Sequence, residues 1–161
     1  ELTMQPDRQR PLRCSWVLRD VLMLGPAPRS AAHLAQLKQA GITAVLSLCS
    51  EAEAPPPPGL EQTFLAARLV LPDHRAPEPM QLAQLEAALA RLAQCLSHGP
   101  VYVHCVAAME RSPLLCMAWL IRHHRLSRLE ALDYLMQVHP GTSPLPEQLA
   151  LLPFDPHTSL A

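Results

Sequence analysis

Lysine is almost absent from this chain of 161 residues: Lys38 is the only one, and arginine supplies the other basic side chains. The net charge is −1, and no block of positive charge occurs along the sequence. Nucleic acids and anionic membrane surfaces are bound through clustered cations, so we expect neither as a partner. No apolar run approaches the roughly 20 residues of a membrane-spanning helix, so the sequence predicts no membrane span.

A Cys-x-x-Cys pair is also missing, and the five cysteines are odd in number and irregularly spaced. This pattern argues against a zinc site or a disulfide framework, and we expect no metal and no cofactor. The stretch 1–13 is polar and lacks the apolar core of a secretory leader. Unpaired cysteines without a leader favour the reducing cytoplasm as the location of the protein.

The length is sufficient for one domain with a hydrophobic core. We expect a flexible N-terminal arm over residues 1–13, a folded catalytic domain over 14–152, and a C-terminal tail over 153–161. The arm is polar and carries no pattern of its own, whereas the central region alternates between apolar and polar segments.

The first part of the domain predicts strands alternating with helices. Apolar residues at 16–18 and 21–24 are typical of a hairpin or of two short edge strands. A helix over 31–40, with Ser30 as its cap, leads to a buried strand over 42–48. This order favours a crossover unit, and the predicted fold class is α/β, with a mainly parallel central sheet flanked by helices.

Later segments continue the pattern. Residues 64–71 predict another strand, and 80–97 predict a helix with leucines at alternating spacings of three and four. The segment 114–124 is apolar nearly all round, which is typical of a central, buried helix. Ser127 and Glu130 form a capping box that opens a further helix.

The stretch 101–113 organises the rest of the chain. Residues 101–103 are β-branched or aromatic and predict a buried strand. A loop follows, and Ser112 then has the character of a helix N-cap, with Pro113 at the first helical position. A strand, a loop and a helix N-terminus form an anion site, because unpaired N–H groups and the helix dipole point at the loop.

Within that loop a thiol, Cys105, precedes a guanidinium, Arg111, in a Cys-x5-Arg arrangement. The spacing alone decides little, because Cys116 and Arg122 repeat it. Cys116, however, lies inside the apolar helical run, whereas Cys105 follows a strand and His104. The context therefore selects Cys105 as the candidate nucleophile.

These residues resemble the dual-specificity branch of the protein tyrosine phosphatase superfamily, whose signature is His-Cys-x2-Gly-x2-Arg-Ser/Thr. The similarity covers roughly residues 14–152 and includes Tyr134 and Gln148 in the C-terminal part. Within the signature one position departs, since Ala108 stands where the family has Gly, and the C-terminal part lacks an Arg and an Asn of the family pattern. If that position needs a positive φ, alanine costs strain of about 1 kcal/mol or more.

The resemblance implies phosphomonoester hydrolysis through a phosphocysteine on Cys105. It makes Arg111 the bidentate clamp for the phosphate and Ser112 a hydrogen-bond donor to the thiolate, a role compatible with helix capping. His104 would orient the loop, although a histidine that merely satisfies the core is an equal alternative. The phosphate loop, in which a phosphate or sulfate ion is expected to bind, consists of Val106, Ala107, Ala108, Met109, Glu110 and Arg111.

The family takes the leaving-group proton from an aspartate about thirty residues upstream of the cysteine. Asp73 follows a predicted strand and lies 32 positions before Cys105, so the resemblance makes Asp73 the general acid. His74 then lies at the mouth of the site.

A phosphorylated protein, on tyrosine or on serine and threonine, is the expected substrate. The Asp73-His74 pair is also similar to the tensin-type lipid phosphatases, so a phosphoinositide or another small phosphomonoester remains an alternative. Glu110 beside the phosphate cradle disfavours polyphosphorylated ligands. A catalytically weak phospho-binding module and, more distantly, a rhodanese-like sulfurtransferase are the rivals from other classes.

Cys49 ends the predicted strand 42–48, and its surroundings resemble a Leu-Cys-Ala-Glu stretch of the tensin-type phosphatases. In those enzymes the cysteine pairs with the nucleophile on oxidation. The resemblance implies that Cys49 traps an oxidised Cys105 as a disulfide. A buried cysteine that only packs at a strand end is the alternative.

Overall fold

The computed structural model describes residues 10–153, and its sheet has five strands in the order β1-β2-β5-β3-β4. The first two strands form an antiparallel hairpin at one edge, and the other neighbouring pairs are parallel. The strands are β1 Ser15–Leu18, β2 Leu22–Gly25, β3 Ala44–Ser47, β4 Leu65–Arg68 and β5 Val101–His104. The predicted α/β class and the mainly parallel sheet are confirmed.

Six helices connect or cover these strands: α1 Ala31–Gln39, α2 Leu60–Thr63, α3 Leu82–Leu96, α4 Arg111–His124, α5 Arg128–Val138 and α6 Pro146–Leu149. The helix α4 is central, with every residue from Arg111 to Ile121 buried. Ser30 caps α1 through the backbone N–H of His33, and the capping box of Ser127 and Glu130 opens α5, both at the predicted positions.

Side chains of the inner strands alternate between two cores, one on each face of the sheet. Val101 and Val103 of β5 belong to the larger core, which includes residues of α3, α4 and α5, whereas Tyr102 belongs to the core beside α1. This alternation follows from the two-residue period of a strand. It explains why these strands are mainly apolar, since both faces are covered.

The four parallel strands β2, β5, β3 and β4 end at the same edge of the sheet. Gly25 of β2 and Ser47 of β3 both pair in register with His104, the last residue of β5. The loops that follow these strands therefore leave the sheet side by side. In open α/β sheets this edge, at the carboxyl ends of the strands, is where ligands bind.

The start of α4 differs from the prediction. Ser112 is not the N-cap, because the helix begins at Arg111 and Glu110 occupies the capping position without a side-chain capping bond. The Ser112 hydroxyl instead points at the thiol of Cys105. Ser112 is the second residue of the helix, so it is past the capping position, and the predicted N-cap role is wrong.

Other boundaries also shift. The strand predicted over 64–71 is regular only over Leu65–Arg68, and α2, which precedes it, was not predicted. Of the N-terminal arm, residues 1–9 lie outside the described part of the chain, as do 154–161 of the predicted tail. Within residues 10–13, Leu12 is buried and its N–H and carbonyl both bond the side chain of Gln36. Among residues 10–153, no helix is both long enough and apolar enough to cross a membrane.

Candidate active site

The loop between β5 and α4 is anchored at its start by His104. Its Nδ1 donates to the carbonyl of Cys105 at 2.7 Å, and its Nε2 accepts from the hydroxyl of Ser47 at 2.7 Å. Burial lowers the pKa of His104 to about 4, so the imidazole is neutral and one nitrogen is free to accept. The side chain thus ties the loop to the end of β3.

The thiol of Cys105 lies at the N-terminus of α4, with Sγ 3.1 Å from the hydroxyl oxygen of Ser112. Cys105 is 3% exposed, at the base of a small cavity of about 190 Å³. Helix N-termini and hydroxyl donors both favour a thiolate. The other cysteine of a Cys-x5-Arg pair, Cys116, is fully buried within α4, and burial raises the pKa of its thiol.

The guanidinium of Arg111 is held from one side by protein groups. Its Nη1 donates to the carbonyl oxygens of Leu71 at 3.0 Å and Leu48 at 3.4 Å. The carboxylate of Glu53 accepts from Nη1 at 3.3 Å and from Nη2 at 2.9 Å. A guanidinium has five donors. Among residues 10–153, the Nε–H and the second Nη2 proton of Arg111 have no acceptor, so the edge that carries them is available for a phosphate.

Glu53 is a site residue that sequence reasoning missed. Its carboxylate also accepts from the backbone N–H of Ser50 at 2.8 Å. Partial burial opposes the charged carboxylate, but the hydrogen bonds from Arg111 and Ser50 outweigh it and lower the pKa of Glu53. Its position in the sequence could have identified it, because Glu53 lies a few residues beyond the carboxyl end of β3. The loop that holds it is at the ligand-binding edge of the sheet.

Asp73 lines the same cavity as Cys105 and Arg111, but its carboxylate is paired with Arg75. Oδ1 accepts from the backbone N–H of Arg75 at 2.9 Å, and Oδ2 lies 2.9 Å from its Nη2. Burial opposes the charge on Asp73, whereas the bonds from Arg75 and the charge of Arg111 outweigh it and lower the pKa of the carboxyl. In this arrangement Asp73 is a carboxylate.

Glu110 links the phosphate loop to its surroundings. Its Oε2 lies 2.6 Å from Nδ1 of His74, and its Oε1 accepts from the amide of Gln148 at 3.1 Å. His74 is exposed at the rim of the cavity. Glu110 therefore ties the loop that bears Asp73 to the phosphate loop and to α6.

Cys49 directly follows the end of β3 and is completely buried. Burial raises the pKa of its thiol, while the nearby charges of Arg111 and Arg68 oppose that effect. Its carbonyl accepts from the guanidinium of Arg68. The thiol is within electrostatic range of Cys105, and its pairing with Cys105 on oxidation stays a prediction.

The phosphate loop turns at Ala108, which has φ +60° and is 1% exposed. Its carbonyl accepts from Nε2 of His139 at 2.8 Å, and Nδ1 of His139 accepts from Ser15. Alanine in this left-handed region costs about 1–2 kcal/mol. Replacement by glycine removes that strain but gives up a buried methyl and raises the entropy of the unfolded chain, by about 0.4–1 kcal/mol for the entropy alone.

These terms nearly cancel, so we expect Ala108→Gly to change the free energy of unfolding by less than about 1 kcal/mol. Ala108→Val should cost about 2 kcal/mol or more, because a β-branched residue tolerates positive φ poorly and the site is closely packed. Urea unfolding of the three proteins measures both values. Equal stability of the glycine and valine variants would show that the backbone relaxes away from this conformation.

Within residues 10–153, no group of three or more His, Cys, Asp or Glu side chains is arranged to hold a metal ion. The site is instead an anion cradle: a thiol, a hydroxyl, a guanidinium and a turn of backbone at a helix N-terminus. A group with a phosphate-like distribution of negative charge fits such a cradle.

Comparison with known proteins agrees with this chemistry. The family model of the dual specificity phosphatase catalytic domain matches residues 22–153. The chain is 36% identical to mouse dual specificity protein phosphatase 12 over 124 residues, which cover 76% of this chain and 35% of that protein. It is 32% identical to human dual specificity phosphatase 28 over 126 residues, covering 78% of this chain and 68% of that protein. The chain thus spans about a third of the first relative's length and about two thirds of the second's.

Solved structures share the fold. A variant of human DUSP28 superposes with a TM-score of 0.68 at 28% identity, covering 88% of this chain and 90% of that one. The human tyrosine phosphatase-like serine/threonine/tyrosine-interacting protein superposes with a TM-score of 0.73 at 22% identity, covering 88% and 95%. The resemblance predicted from residues 104–112 is confirmed, and the chain belongs to the dual specificity phosphatase family of cysteine-dependent phosphomonoester hydrolases.

Proposed function

We propose that this chain is a protein phosphatase that hydrolyses phosphotyrosine, phosphoserine or phosphothreonine through a phosphocysteine on Cys105. The observation that carries the proposal is the contact of 3.1 Å between the Cys105 thiol and the Ser112 hydroxyl at the start of a buried helix. The open edge of Arg111 faces the same cavity. The arrangement unites a nucleophile, a leaving-group stabiliser and a cationic clamp.

In the first step, the backbone N–H groups of residues 106–111 and the free edge of Arg111 bind the phosphate oxygens. The Cys105 thiolate attacks phosphorus, a P–S bond forms, and the P–O bond to the substrate breaks. The departing oxygen takes a proton from Asp73. Arg111 contributes most as charge builds on the oxygens in the transition state.

In the second step, water attacks the phosphocysteine. Asp73, now a carboxylate, accepts a proton from the water, the P–S bond breaks, and inorganic phosphate is released. Cys105 leaves as a thiolate, which the Ser112 hydroxyl stabilises by donating a hydrogen bond. The two steps use the side chains named above, the backbone N–H groups of the phosphate loop and water.

Asp73 must carry a proton in the first step, although it is paired with Arg75 in the unliganded arrangement. Arg75 is two-thirds exposed, and exposed ion pairs are worth only about 0.2–1 kcal/mol. A phosphate dianion in the cavity competes for Arg75 and adds negative charge beside Asp73. Both effects favour the protonated carboxyl once substrate is bound.

Glu53 acts as a positioning residue for Arg111. Glu53→Gln should lower kcat/KM by about 10–100-fold, because the guanidinium loses its charged partner and can turn away from the phosphate. Glu51→Gln is the matched control, since Glu51 is an exposed carboxylate in the same loop. Steady-state kinetics with an aryl phosphate, together with a thermal unfolding curve, measures the effect. If both variants retain wild-type kcat/KM, Arg111 does not depend on Glu53.

The direct test of the proposal is hydrolysis of a chromogenic aryl phosphate and of phosphopeptides in the presence of EDTA. Turnover under these conditions supports the phosphatase. Tight phosphopeptide binding without turnover would instead support a phospho-binding module. Peptides phosphorylated on tyrosine, serine and threonine establish the residue preference.

A phosphoinositide is the second candidate substrate. A structural neighbour with 22% identity, PTPMT1, has been solved in complex with PI(5)P, and His74 at the mouth of the cavity is compatible with a headgroup. The carboxylates of Asp73 and Glu110 line the cavity, and that of Glu53 binds Arg111. These three negative charges disfavour a ligand with several phosphates. The cytoplasm, as inferred from the unpaired cysteines, suits a phosphoprotein substrate.

A further inference from the structure

Four backbone carbonyls of Cys105 and the phosphate loop accept hydrogen bonds from donors outside the loop. The carbonyls of Cys105, Val106, Ala108 and Met109 accept, in that order, from His104, Ala27, His139 and Ser143. None of these four donors lines the cavity that contains Cys105. Because the C=O and the N–H of a trans peptide point in opposite directions, a carbonyl held outward turns the next N–H inward. The outer donors therefore aim the N–H groups of the loop at the phosphate site.

Ala108 is the residue of this loop that most needs its outer donor. Its φ of +60° is in the left-handed region, which alanine disfavours because of its Cβ. The residue is buried, so water does not replace a lost partner of its carbonyl. Rotation of the peptide between Ala108 and Met109 would relieve the strain, and it would also turn the Met109 N–H out of the cradle. The bond of 2.8 Å from Nε2 of His139 opposes that rotation.

His139 is itself held in one orientation. The residue is buried, and its backbone N–H donates to the carbonyl of Leu135 at the end of α5. Because a carbonyl only accepts, Nε2 carries the proton of the neutral ring, and Nδ1 accepts from the hydroxyl of Ser15 at 2.7 Å. Ser15 belongs to β1, so one imidazole joins β1, the end of α5 and the turn of the phosphate loop. The ring cannot rotate or change tautomer without breaking one of its two bonds.

We infer that His139, oriented by Ser15, is a positioning residue for the reaction: it holds the Ala108 peptide in its left-handed turn and thereby presents the N–H of Met109 to the phosphate. The inference rests on the proposed function. His139 does not line the cavity that contains Cys105, so it acts through Ala108 and not on the substrate. Glycine at position 108 would adopt a positive φ at no steric cost. The histidine therefore offsets what this sequence loses by having alanine there.

His139→Asn is the first variant of the test. An asparagine side chain can still reach the hydroxyl of Ser15, but it ends short of the Ala108 carbonyl, so the loop loses one donor. The value of kcat/KM for an aryl phosphate should fall about tenfold or more, which is the effect of one N–H bond to a charged phosphate. The affinity for inorganic phosphate, measured as a competitive inhibitor, should fall by a similar factor, because the same N–H binds it.

The decisive measurement is the same substitution in the Ala108→Gly background. Glycine holds the turn without the bond from His139, so His139→Asn should there lower kcat/KM by less than about threefold. A histidine with only a packing role would not show this rescue, because glycine adds no contact and fills no lost volume. The wild type, the two single variants and the double variant form a cycle that measures the coupling between positions 108 and 139.

His33→Asn is the matched control. His33 is also buried, its Nδ1 accepts from the backbone N–H of Arg29, and its Nε2 donates to the carbonyl of Arg10. Replacement by asparagine removes the same Nε2 bond, but neither partner belongs to the phosphate loop. We expect this variant to keep the wild-type kcat/KM and phosphate affinity. Thermal unfolding curves establish that each variant is folded at the assay temperature.

Ser15→Ala measures the same coupling if His139→Asn does not fold. It keeps the histidine but leaves Nδ1 without its donor, so the ring is less firmly oriented. The value of kcat/KM should fall by about two- to fivefold, the effect of one neutral hydrogen bond. This loss, too, should disappear in the Ala108→Gly background.

Wild-type kcat/KM and phosphate affinity in His139→Asn would overturn the inference, and so would an equal loss in the alanine and glycine backgrounds. If the wild type does not hydrolyse an aryl phosphate, the proposed function fails by itself. The cycle is then measured by isothermal titration with inorganic phosphate. Coupling between positions 108 and 139 in those affinities supports the positioning role, whereas no coupling, or no phosphate binding by the wild type, overturns it.

Discussion

Replacement of Cys105 by serine is expected to lower the turnover of an aryl phosphate by about 10⁴-fold or more. A serine hydroxyl at this position is not ionised at neutral pH and has no general base beside it, since Ser112 is a donor. The open edge of Arg111 and the N–H groups of the loop remain, so the affinity for inorganic phosphate should change little. Kinetics and isothermal titration with phosphate measure the two effects separately.

The control for this variant is Cys14→Ser. Cys14 is half-buried, its neighbours include Gln36, and burial raises the pKa of its thiol to about 11, so it is not a nucleophile at neutral pH. We expect this variant to retain wild-type turnover. Persistent activity in Cys105→Ser would rule out the covalent intermediate, and loss of phosphate affinity there would mean that the thiolate also holds the ligand.

Asp73→Asn should lower kcat by about 10²–10⁴-fold for substrates with poor leaving groups, such as phosphoserine peptides and alkyl phosphates. An amide cannot supply the proton that an alkoxide requires. For an aryl phosphate with a stable phenolate the loss should be much smaller, because that leaving group departs without protonation. The difference between the two substrate classes is the measurement that assigns the role.

The pH profile gives an independent readout of the same variant. In the wild type, activity toward alkyl phosphates should fall as pH rises, because Asp73 loses its proton and its pKa is lowered by the bonds from Arg75. Asp73→Asn should remove this descending limb. Glu78→Gln, which changes an exposed carboxylate in the same loop, serves as the control and should leave both kcat and the limb unchanged. An equal loss for good and poor leaving groups would mean that Asp73 has only a structural role.

Local sequence patterns predicted most of the structure around the nucleophile, Cys105. The apolar run at 101–103 specifies a strand that is covered on both faces, and the apolar segment from Leu114 onward specifies a central helix. A loop between such a strand and such a helix has to expose its N–H groups at the helix N-terminus, and Cys105 and Arg111 lie in that loop. These features depend on short-range periodicity, which is why the sequence alone predicted them.

Local sequence patterns did not predict the exact first residue of α4. Ser112 has the chemistry of an N-cap, and only the packed loop decides whether its hydroxyl bonds a backbone N–H or the Cys105 thiol. Ala108 is similar. The family resemblance marked it as a departure, but its positive φ and its bond from His139 depend on how the loop packs against the turn after α5.

By itself, the sequence determined the α/β class, the membership of a cysteine phosphatase family and the loop that holds the thiol. The tertiary structure alone decided the pairing of Glu53 with Arg111, which lie 58 residues apart. It also decided that Asp73 is paired with Arg75 before substrate binds. The physical reason for the Glu53–Arg111 contact is that it joins two loops brought to one sheet edge by the register of β3 and β5, which no periodicity within a single segment encodes. The Asp73–Arg75 contact is local, and it depends on the backbone conformation of the loop that holds both residues.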